Sequence, residues 1–231
     1  MKVRPQDGTT AVRSGQTFRI ALVDDHPIVR EGLARLIQQE PDLSVCAEAS
    51  DEPAAWDAIT KHQPDLVIVD LSLRSGDGID LIKRIRGTYP KIAVLVLSMY
   101  DESHYVERAL RAGAWGYLTK LEASDKVLVA IRRLLSGAFY ISDRLSPNFL
   151  KRLLSTPGKE DSIISDLSDR EWQVFRLIGS GHGVQEMAAD LHLSVKTIET
   201  YQAHIKEKLN LKNTRKLVQF AIRWALTQEK K

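Results

Sequence analysis

The stretch RIALVDDHPIVREGLARLI, Arg19–Ile37, decides the fold. Ile20, Ala21, Leu22 and Val23 form an unbroken apolar run that ends at two adjacent carboxylates, Asp24 and Asp25. Apolar residues then recur at Ile28, Val29, Leu33, Leu36 and Ile37, the spacing of one helix face, with Pro27 at the helix start. A buried strand therefore runs into a helix, and two like charges sit at the junction. Such a pair repels unless a positive group stands close by.

The same alternation continues down the chain. Strands are expected at FRIALV (18–23), LSVCAEA (43–49), DLVIVD (65–70), IAVLVLS (92–98) and GYLT (116–119). Helical patterns fill Pro27–Gln39, Glu52–Lys61, Gly78–Tyr89, Glu102–Ala112 and Ser124–Leu135. Five strands alternating with five helices predict a doubly wound α/β domain on a five-stranded parallel sheet. The nearly all-apolar third and fourth strands fit a sheet covered on both faces. Sheets of this kind carry their functional groups beyond the carboxyl ends of the strands. Asp24 and Asp25 end the first strand, Asp70 the third and Ser98 the fourth, and Lys120 follows the fifth, so all five are expected at one edge. Three converging carboxylates call for a hard divalent cation, and Mg2+ fits an oxygen donor set. A cation, a lysine and a hydroxyl around one carboxylate are the groups needed to move a phosphoryl group onto it.

Composition narrows the class. With 231 residues, 43% of them hydrophobic, the chain is long enough for two ordinary domains. No apolar run approaches the roughly 20 residues that cross a bilayer, so no membrane partner is expected. Residues 1–17 have no apolar core of a secretory leader and read as a flexible tail. The lone Cys46 makes no internal disulfide, fits a reducing cytoplasm, and is expected as a small buried hydrophobe. The net charge of +3 conceals an asymmetry. Residues 18–137 carry 15 Lys and Arg against 18 Asp and Glu, whereas residues 164–231 carry 11 against 8. The basic C-terminal part is consistent with a nucleic-acid partner.

The segments LVDDH, DLVIVDLSL, VLVLSMYDE and GAWGYLTK, in this order and spacing, resemble the receiver domain of bacterial two-component response regulators, over about residues 18–137. The resemblance implies a flavodoxin-like fold with Asp70 as phospho-acceptor. It implies that Asp25 ligates Mg2+ directly, Asp24 assists through water, and the Ser72 carbonyl adds a ligand. Lys120 would pair with the phosphoryl group, Ser98 would hydrogen-bond it, and Tyr117 would be the aromatic that moves with Ser98. His26 is expected as a local hydrogen-bonding residue. One departure stands in the loop after the acceptor, DLSLRSGDG, where Arg74 replaces the usual proline while Gly78 is kept. A loop without the fixed proline φ is expected to be more flexible, altering the lifetime of the phosphoryl group and not the chemistry. Phosphatases with an aspartate nucleophile carry two acids as D-x-D on one strand, a placement absent here.

Residues 138–163 hold a short helical pattern (Phe149, Leu150, Leu153, Leu154) and then the turn-rich linker STPGKEDS. From 164 to 231 the chain reads as all-helical. LSDREWQVFRLIGSG opens with Ser168 and Glu171 at capping-box spacing. VQEMAADL, the break His192-Leu193-Ser194 and VKTIETYQAHIKEKL form a helix-turn-helix pattern. Met187, Ala188, Leu191, Leu193, Ile198, Ile205 and Leu209 are expected inside; Lys196, Glu199, Thr200, Gln202, Ala203, Lys206 and Lys208 are expected outside, facing a major groove of double-stranded DNA. These segments resemble the LuxR-type domain of the NarL/FixJ class of response regulators, over about residues 165–226, which adds Ser194 and Thr197 to the DNA-contact set. Gly183-Val184-Gln185 departs from the usual polar triplet, and Tyr201 stands where a histidine is usual. The last helix, TRKLVQFAIRWAL, carries two apolar stripes where packing on its own domain needs one. The resemblance implies homodimerisation through this helix, with Leu217, Phe220, Ala221 and Trp224 expected at the contact.

The sequence thus reads as a cytoplasmic, DNA-binding transcription regulator, not an enzyme, phosphorylated on Asp70 by a sensor histidine kinase and dimeric when active. Two alternatives remain at this point: a regulator of the same fold that works without phosphorylation, and a receiver that mainly docks on proteins.

Overall fold

The computed structural model describes residues 17–73, 76–99, 103–142, 145, 164 and 167–228. The tail before Thr17, Arg74 and the expected short helix around Phe149–Leu154 lie outside the described residues. The chain divides into two compact units between Ser146 and Pro147.

In the first unit the strands are β1 (Phe18–Val23), β2 (Leu43–Ala49), β3 (Leu66–Val69), β4 (Ala93–Ser98), β5 (Gly116–Thr119) and β6 (Tyr140–Ile141). The helices are α1 (Pro27–Gln38), α2 (Glu52–His62), α3 (Gly78–Thr88), α4 (Ser103–Ala112) and α5 (Ala123–Leu135). All strand pairs are parallel, in the order β2-β1-β3-β4-β5-β6. Helices α1 and α5 cover one face, where Ile20, Leu22, Ile37, Ile68, Leu95, Leu118 and Ile131 make a core. Helices α2, α3 and α4 cover the other. Every residue of β3, β4 and β5 is buried, which is why these strands read as continuous apolar runs and not as alternating ones.

The sheet has six strands where the sequence predicts five. β6 is only two residues long, too short for any periodicity, and falls in the stretch read as linker. The Tyr140 amide donates to the Trp115 carbonyl and the Ser142 amide to that of Tyr117, so β6 satisfies backbone groups on the otherwise open edge of β5. Cys46 also differs from expectation: it lies on β2, the opposite edge strand, and is half-buried, with burial pushing its thiol pKa up.

The second unit holds α6 (Asp169–Gly179), α7 (Val184–Asp190), α8 (Val195–Lys208) and α9 (Thr214–Gln228). Trp172 and Phe175 of α6 are fully buried against Trp224 of α9, with ring centroids 6.0 and 5.6 Å away. The Gly179 Cα faces the backbone of α9, where an added Cβ would stand 2.9 Å from the Ala221 carbonyl oxygen, so glycine lets the two helices close up. No described helix is long and apolar enough to cross a membrane.

Candidate functional site

The strand order reverses around β1, between β2 and β3, and a crevice opens beyond the carboxyl ends of β1 and β3. The Asp70 amide donates to the Val23 carbonyl at 2.8 Å, which brings the residue after β3 level with the residue after β1. Gly78, the first residue of α3, closes this region from below. A Cβ there would lie 2.4 Å from the Asp70 carbonyl oxygen, so only glycine lets the helix start so near the acid. Asp77 caps α3 by accepting from the Ile79 amide.

Asp24, Asp25 and Asp70 are all buried, and Lys120 reaches between two of them. Its Nζ lies 2.7 Å from Asp70 Oδ2 and 2.8 Å from Asp24 Oδ2. Asp70 Oδ1 accepts from the Ser72 amide at 3.2 Å. His26 Nδ1 lies 2.7 Å from Asp25 Oδ1 and 3.3 Å from Asp24 Oδ1, and the His26 amide donates to Asp24 Oδ1 at 2.8 Å. Arg30 of α1 donates to the Asp24 carbonyl and pairs with Glu48 of β2, which ties down the loop that carries both acids. Arg30 was not singled out in the sequence; its place one turn into α1 was the available sign.

Burial above all pushes the Asp70 pKa up to about 6; the Lys120 ammonium counteracts this and the neighbouring Asp24 carboxylate adds to it. Burial also works against the charge on Lys120, but attraction to Asp70 and Asp24 raises its pKa overall. The two shifts do not mirror each other because the lysine feels two acids while Asp70 shares one cation and faces a second acid. With all three acids ionised, one ammonium leaves two negative charges uncompensated. Donor atoms of Asp24, Asp25, His26 and Asp70 lie within 4.8 Å of one another. Oxygen donors with a residual charge of this size fit a divalent cation.

Ser98 and Tyr117 are fully buried, Ser98 paired in register with Thr119 at the end of β5. Thr119 donates to Glu122, which in turn pairs with Lys126 of α5, fixing the turn that delivers Lys120. Asp24, Asp25, Asp70, Ser98 and Lys120 therefore lie at the carboxyl edge of the sheet, while Tyr117 lies inside β5, two residues before its end. Ile28, Met99 and Leu121 are strongly exposed, and each lies within two residues of a pocket residue, so an apolar rim lies beside it.

In the second unit Ser168 caps α6 by accepting from the Glu171 amide, and Glu171 accepts in return from the Ser168 amide. Lys208, near the end of α8, also donates to Glu171 at 2.7 Å. One buried carboxylate thus joins the start of α6 to the end of α8. Burial acts to raise the Glu171 pKa, but its bonds from Lys208 and Ser168 outweigh this and lower it. A lowered carboxylate pKa contributes stability that is fully present above the unfolded value and is lost as pH falls through the folded value. Glu171→Gln is therefore expected to lower the melting temperature at pH 7, and the deficit to shrink as the pH falls below about 4. A deficit unchanged down to pH 3 in thermal denaturation would contradict the electrostatic link.

Helix α8 presents Lys196, Glu199, Thr200 and Ala203 on one exposed face, opposite buried Ile198, Ile205 and Leu209. Lys206, half-buried at the end of this face, reaches Thr214 at 3.3 Å. Ser194 is the N-cap, its Oγ accepting from the Thr197 amide and contacting Thr197 Oγ1. One expectation for the outer face fails. Gln202 is buried, because it falls on the Ile198–Ile205 stripe four residues after Ile198. Lys208 is exposed as expected and also pairs with Glu171. Gly183 at the start of α7 removes a side-chain cap, and Glu186 compensates by accepting from the Gly183 amide at 2.7 Å.

The last helix requires a larger correction. Leu217, Ala221 and Trp224 are buried within their own unit and Phe220 packs on Phe175, so this stripe is core and not a dimer contact. The other stripe, Val218, Ile222 and Ala225, is the outward one: Val218 and Ile222 are exposed and Ala225 is half-buried, with Leu226 exposed beside them. Both stripes were visible in the sequence; which of them faces α6 depends on packing, which periodicity does not encode.

Residues 20–132 match the response regulator receiver domain and residues 165–221 match the bacterial regulatory proteins of the luxR family. The chain belongs to the two-component response regulators of the NarL/FixJ class, and is a DNA-binding transcription regulator. It is similar to the oxygen regulatory protein NreC of Staphylococcus carnosus, 33% identical over 211 residues that cover 89% of this chain and 97% of the relative. Among solved structures, a LuxR-family two-component response regulator from Aurantimonas sp. SI85-9A1 is 36% identical with a TM-score of 0.58, over 61% of this chain and 100% of that one. RcsB from Salmonella enterica serovar Typhimurium, bound to promoter P1flhDC in the presence of phosphomimetic BeF3-, is 28% identical with a TM-score of 0.60, over 89% of this chain and 98% of that one.

Proposed function

We propose that Asp70 accepts a phosphoryl group from a sensor histidine kinase and that this charge change controls DNA binding by a dimer. The observation that carries this reading is Lys120 Nζ held 2.7 Å from Asp70 and 2.8 Å from Asp24 in a pocket with a third acid, Asp25. Asp70 supplies the nucleophilic oxygen: it bonds to phosphorus as the phosphorus–nitrogen bond of the donor breaks and the imidazole leaves. Asp25, with Asp24 and the Ser72 carbonyl, would hold Mg2+, which supplies positive charge to the phosphoryl oxygens. Lys120 and the Ser98 hydroxyl bind the new phosphoryl oxygens, and Tyr117 follows Ser98. The apolar rim of Ile28, Met99 and Leu121 suits docking of a protein phosphodonor. The receiver is taken from residue 18 through β6 at Tyr140–Ile141, followed by the linker, with the DNA-binding domain at 164–231, in a cytoplasmic protein.

For DNA, the exposed face of α8 enters a major groove, and the exposed stripe of Val218, Ile222 and Leu226 on α9 pairs with a second copy. RcsB bound to promoter DNA supports the reading. Lys196 and Lys206 would touch phosphates, Glu199 and Thr200 base edges, and Ala203 allows close approach; Ser194 and Thr197 serve the helix start, whose amides face the backbone. The test is affinity for specific and random duplexes across a salt series. Lys196→Ala is expected to weaken binding to every duplex and reduce the salt slope by about one. Glu199→Ala is expected to change the preferred site, at about 1–3 kcal/mol per lost base contact. A Lys196→Ala chain with altered preference and an unchanged slope would overturn the assignment.

A further inference from the structure

We propose that Glu52 is a positioning residue for the phosphoryl-transfer pocket: from the start of α2 it pins the loop between Asp70 and α3, and so holds the Ser72 carbonyl in place before a cation binds. The inference rests on the reading of Asp70 as acceptor and of the Ser72 carbonyl as a cation ligand.

Residues 71–77 contain no proline to fix a backbone angle, so the loop takes its shape from contacts. The arm leaving Asp70 is held from within. Leu71 and Leu73 are buried, and the Ser72 amide between them donates to Asp70 Oδ1 at 3.2 Å. The neck is closed by Gly78, whose amide donates to the Leu71 carbonyl at 3.3 Å. The arm returning to α3 is held by Glu52. Its Oε2 accepts from the Asp77 amide at 3.2 Å, across 25 residues of chain. The Gly76 backbone lies directly on the same side chain, where an added Cβ would overlap the Glu52 Cβ. Glu52 is itself well anchored. Asp51 caps α2 by accepting from the Ala54 amide at 3.0 Å, and Pro53 sets φ in the first turn. Three residues before Glu52, the Ala49 carbonyl accepts from the Asp24 amide at 3.1 Å, which ties the approach to α2 to the acids of β1. Glu52 stands outside the cluster of Asp24, Asp25, His26 and Asp70, so it acts through the loop and not on the cation. A loop ordered in advance loses no freedom when the cation binds, whereas binding must order a loose one.

The experiment compares the full chain with Glu52→Ala, Glu52→Asp and Glu52→Gln. The readouts are metal-free amide hydrogen exchange, calorimetric titration with Mg2+, and phosphoryl uptake from acetyl phosphate across a Mg2+ series. Glu52→Gln keeps an acceptor oxygen at the same reach and is expected to match wild type. Glu52→Asp keeps the charge but is one methylene too short, so it is expected to behave as Glu52→Ala does. Both are expected to exchange the Asp77 amide about tenfold faster or more. Both are also expected to bind Mg2+ about tenfold more weakly. Their half-saturating Mg2+ for uptake should rise by the same factor while the rate at saturation is unchanged, because the bound cation then orders the loop itself. Equal Asp77 exchange or equal Mg2+ affinity in all four chains, or a Glu52→Gln chain as weak as Glu52→Ala, overturns the inference and leaves Asp70 as acceptor. A wild-type chain that neither binds Mg2+ nor takes up a phosphoryl group overturns the site and the inference together.

Discussion

Asp70→Asn is expected to take up no phosphoryl group from acetyl phosphate and Mg2+, while wild type takes up one, as read by intact mass. The amide oxygen is a far weaker nucleophile than the carboxylate, and Asp24 and Asp25 are engaged by Lys120, His26 and the backbone on the far side of the crevice. The same substitution carries a second, opposite effect on stability. Burial raises the Asp70 pKa to about 6, above its unfolded value near 3.9. A carboxylate raised in this way contributes stability below the unfolded pKa and loses it as pH rises through the folded one. At pH 7.5 the ionised Asp70 therefore strains the metal-free fold. Asp70→Asn is expected to melt higher than wild type at pH 7.5 without metal, with the gain shrinking at pH 5. Mg2+ is expected to raise the melting temperature of wild type more than that of the variant. A variant that still gained one phosphoryl group would refute Asp70 as acceptor, and a variant less stable at pH 7.5 would refute the electrostatic account.

Lys120→Ala is expected to separate the chemistry from the response. Lys120 is the cation that bridges Asp70 and Asp24. A hydrogen bond to a charged group contributes about 1.5–3 kcal/mol, enough to move a two-state equilibrium tenfold or more. Phosphoryl uptake should persist, because the nucleophile and the acids that hold the cation remain. The phosphorylated variant should dimerise at least tenfold more weakly than phosphorylated wild type in sedimentation. Equal dimerisation would show that the lysine does not carry the signal. The metal-free variant should also be less stable, since it leaves buried carboxylates with no counter-charge.

Much of this was legible in the chain, for reasons that differ by element. β3 and β4 are buried on both faces, so LVIV and AVLVLS announce themselves as runs. The pocket was legible because its acids sit one residue beyond strand ends, and parallel topology alone forces strand ends together. The Ser168–Glu171 capping box was legible because it depends on three-residue spacing only. What was hidden depends on contacts across the fold. β6 exists because β5 offers an edge to it. Gln202 looks polar and outward until the phase of α8 is set by Ile198 and Ile205. The Glu171–Lys208 bond joins residues 37 apart. Leu217, Ala221 and Trp224 turn inward because Trp172 and Phe175 of α6 need them.

The most direct test of the central claim is the affinity of the full chain for a duplex selected from a random pool, measured by fluorescence anisotropy. Wild type and Asp70→Asn are each measured with and without acetyl phosphate and Mg2+. The account predicts that wild type binds at least tenfold more tightly after phosphorylation and that Asp70→Asn shows one affinity under both conditions. Equal affinity of phosphorylated and unphosphorylated wild type would contradict it, and would make the chain a regulator that works without phosphorylation.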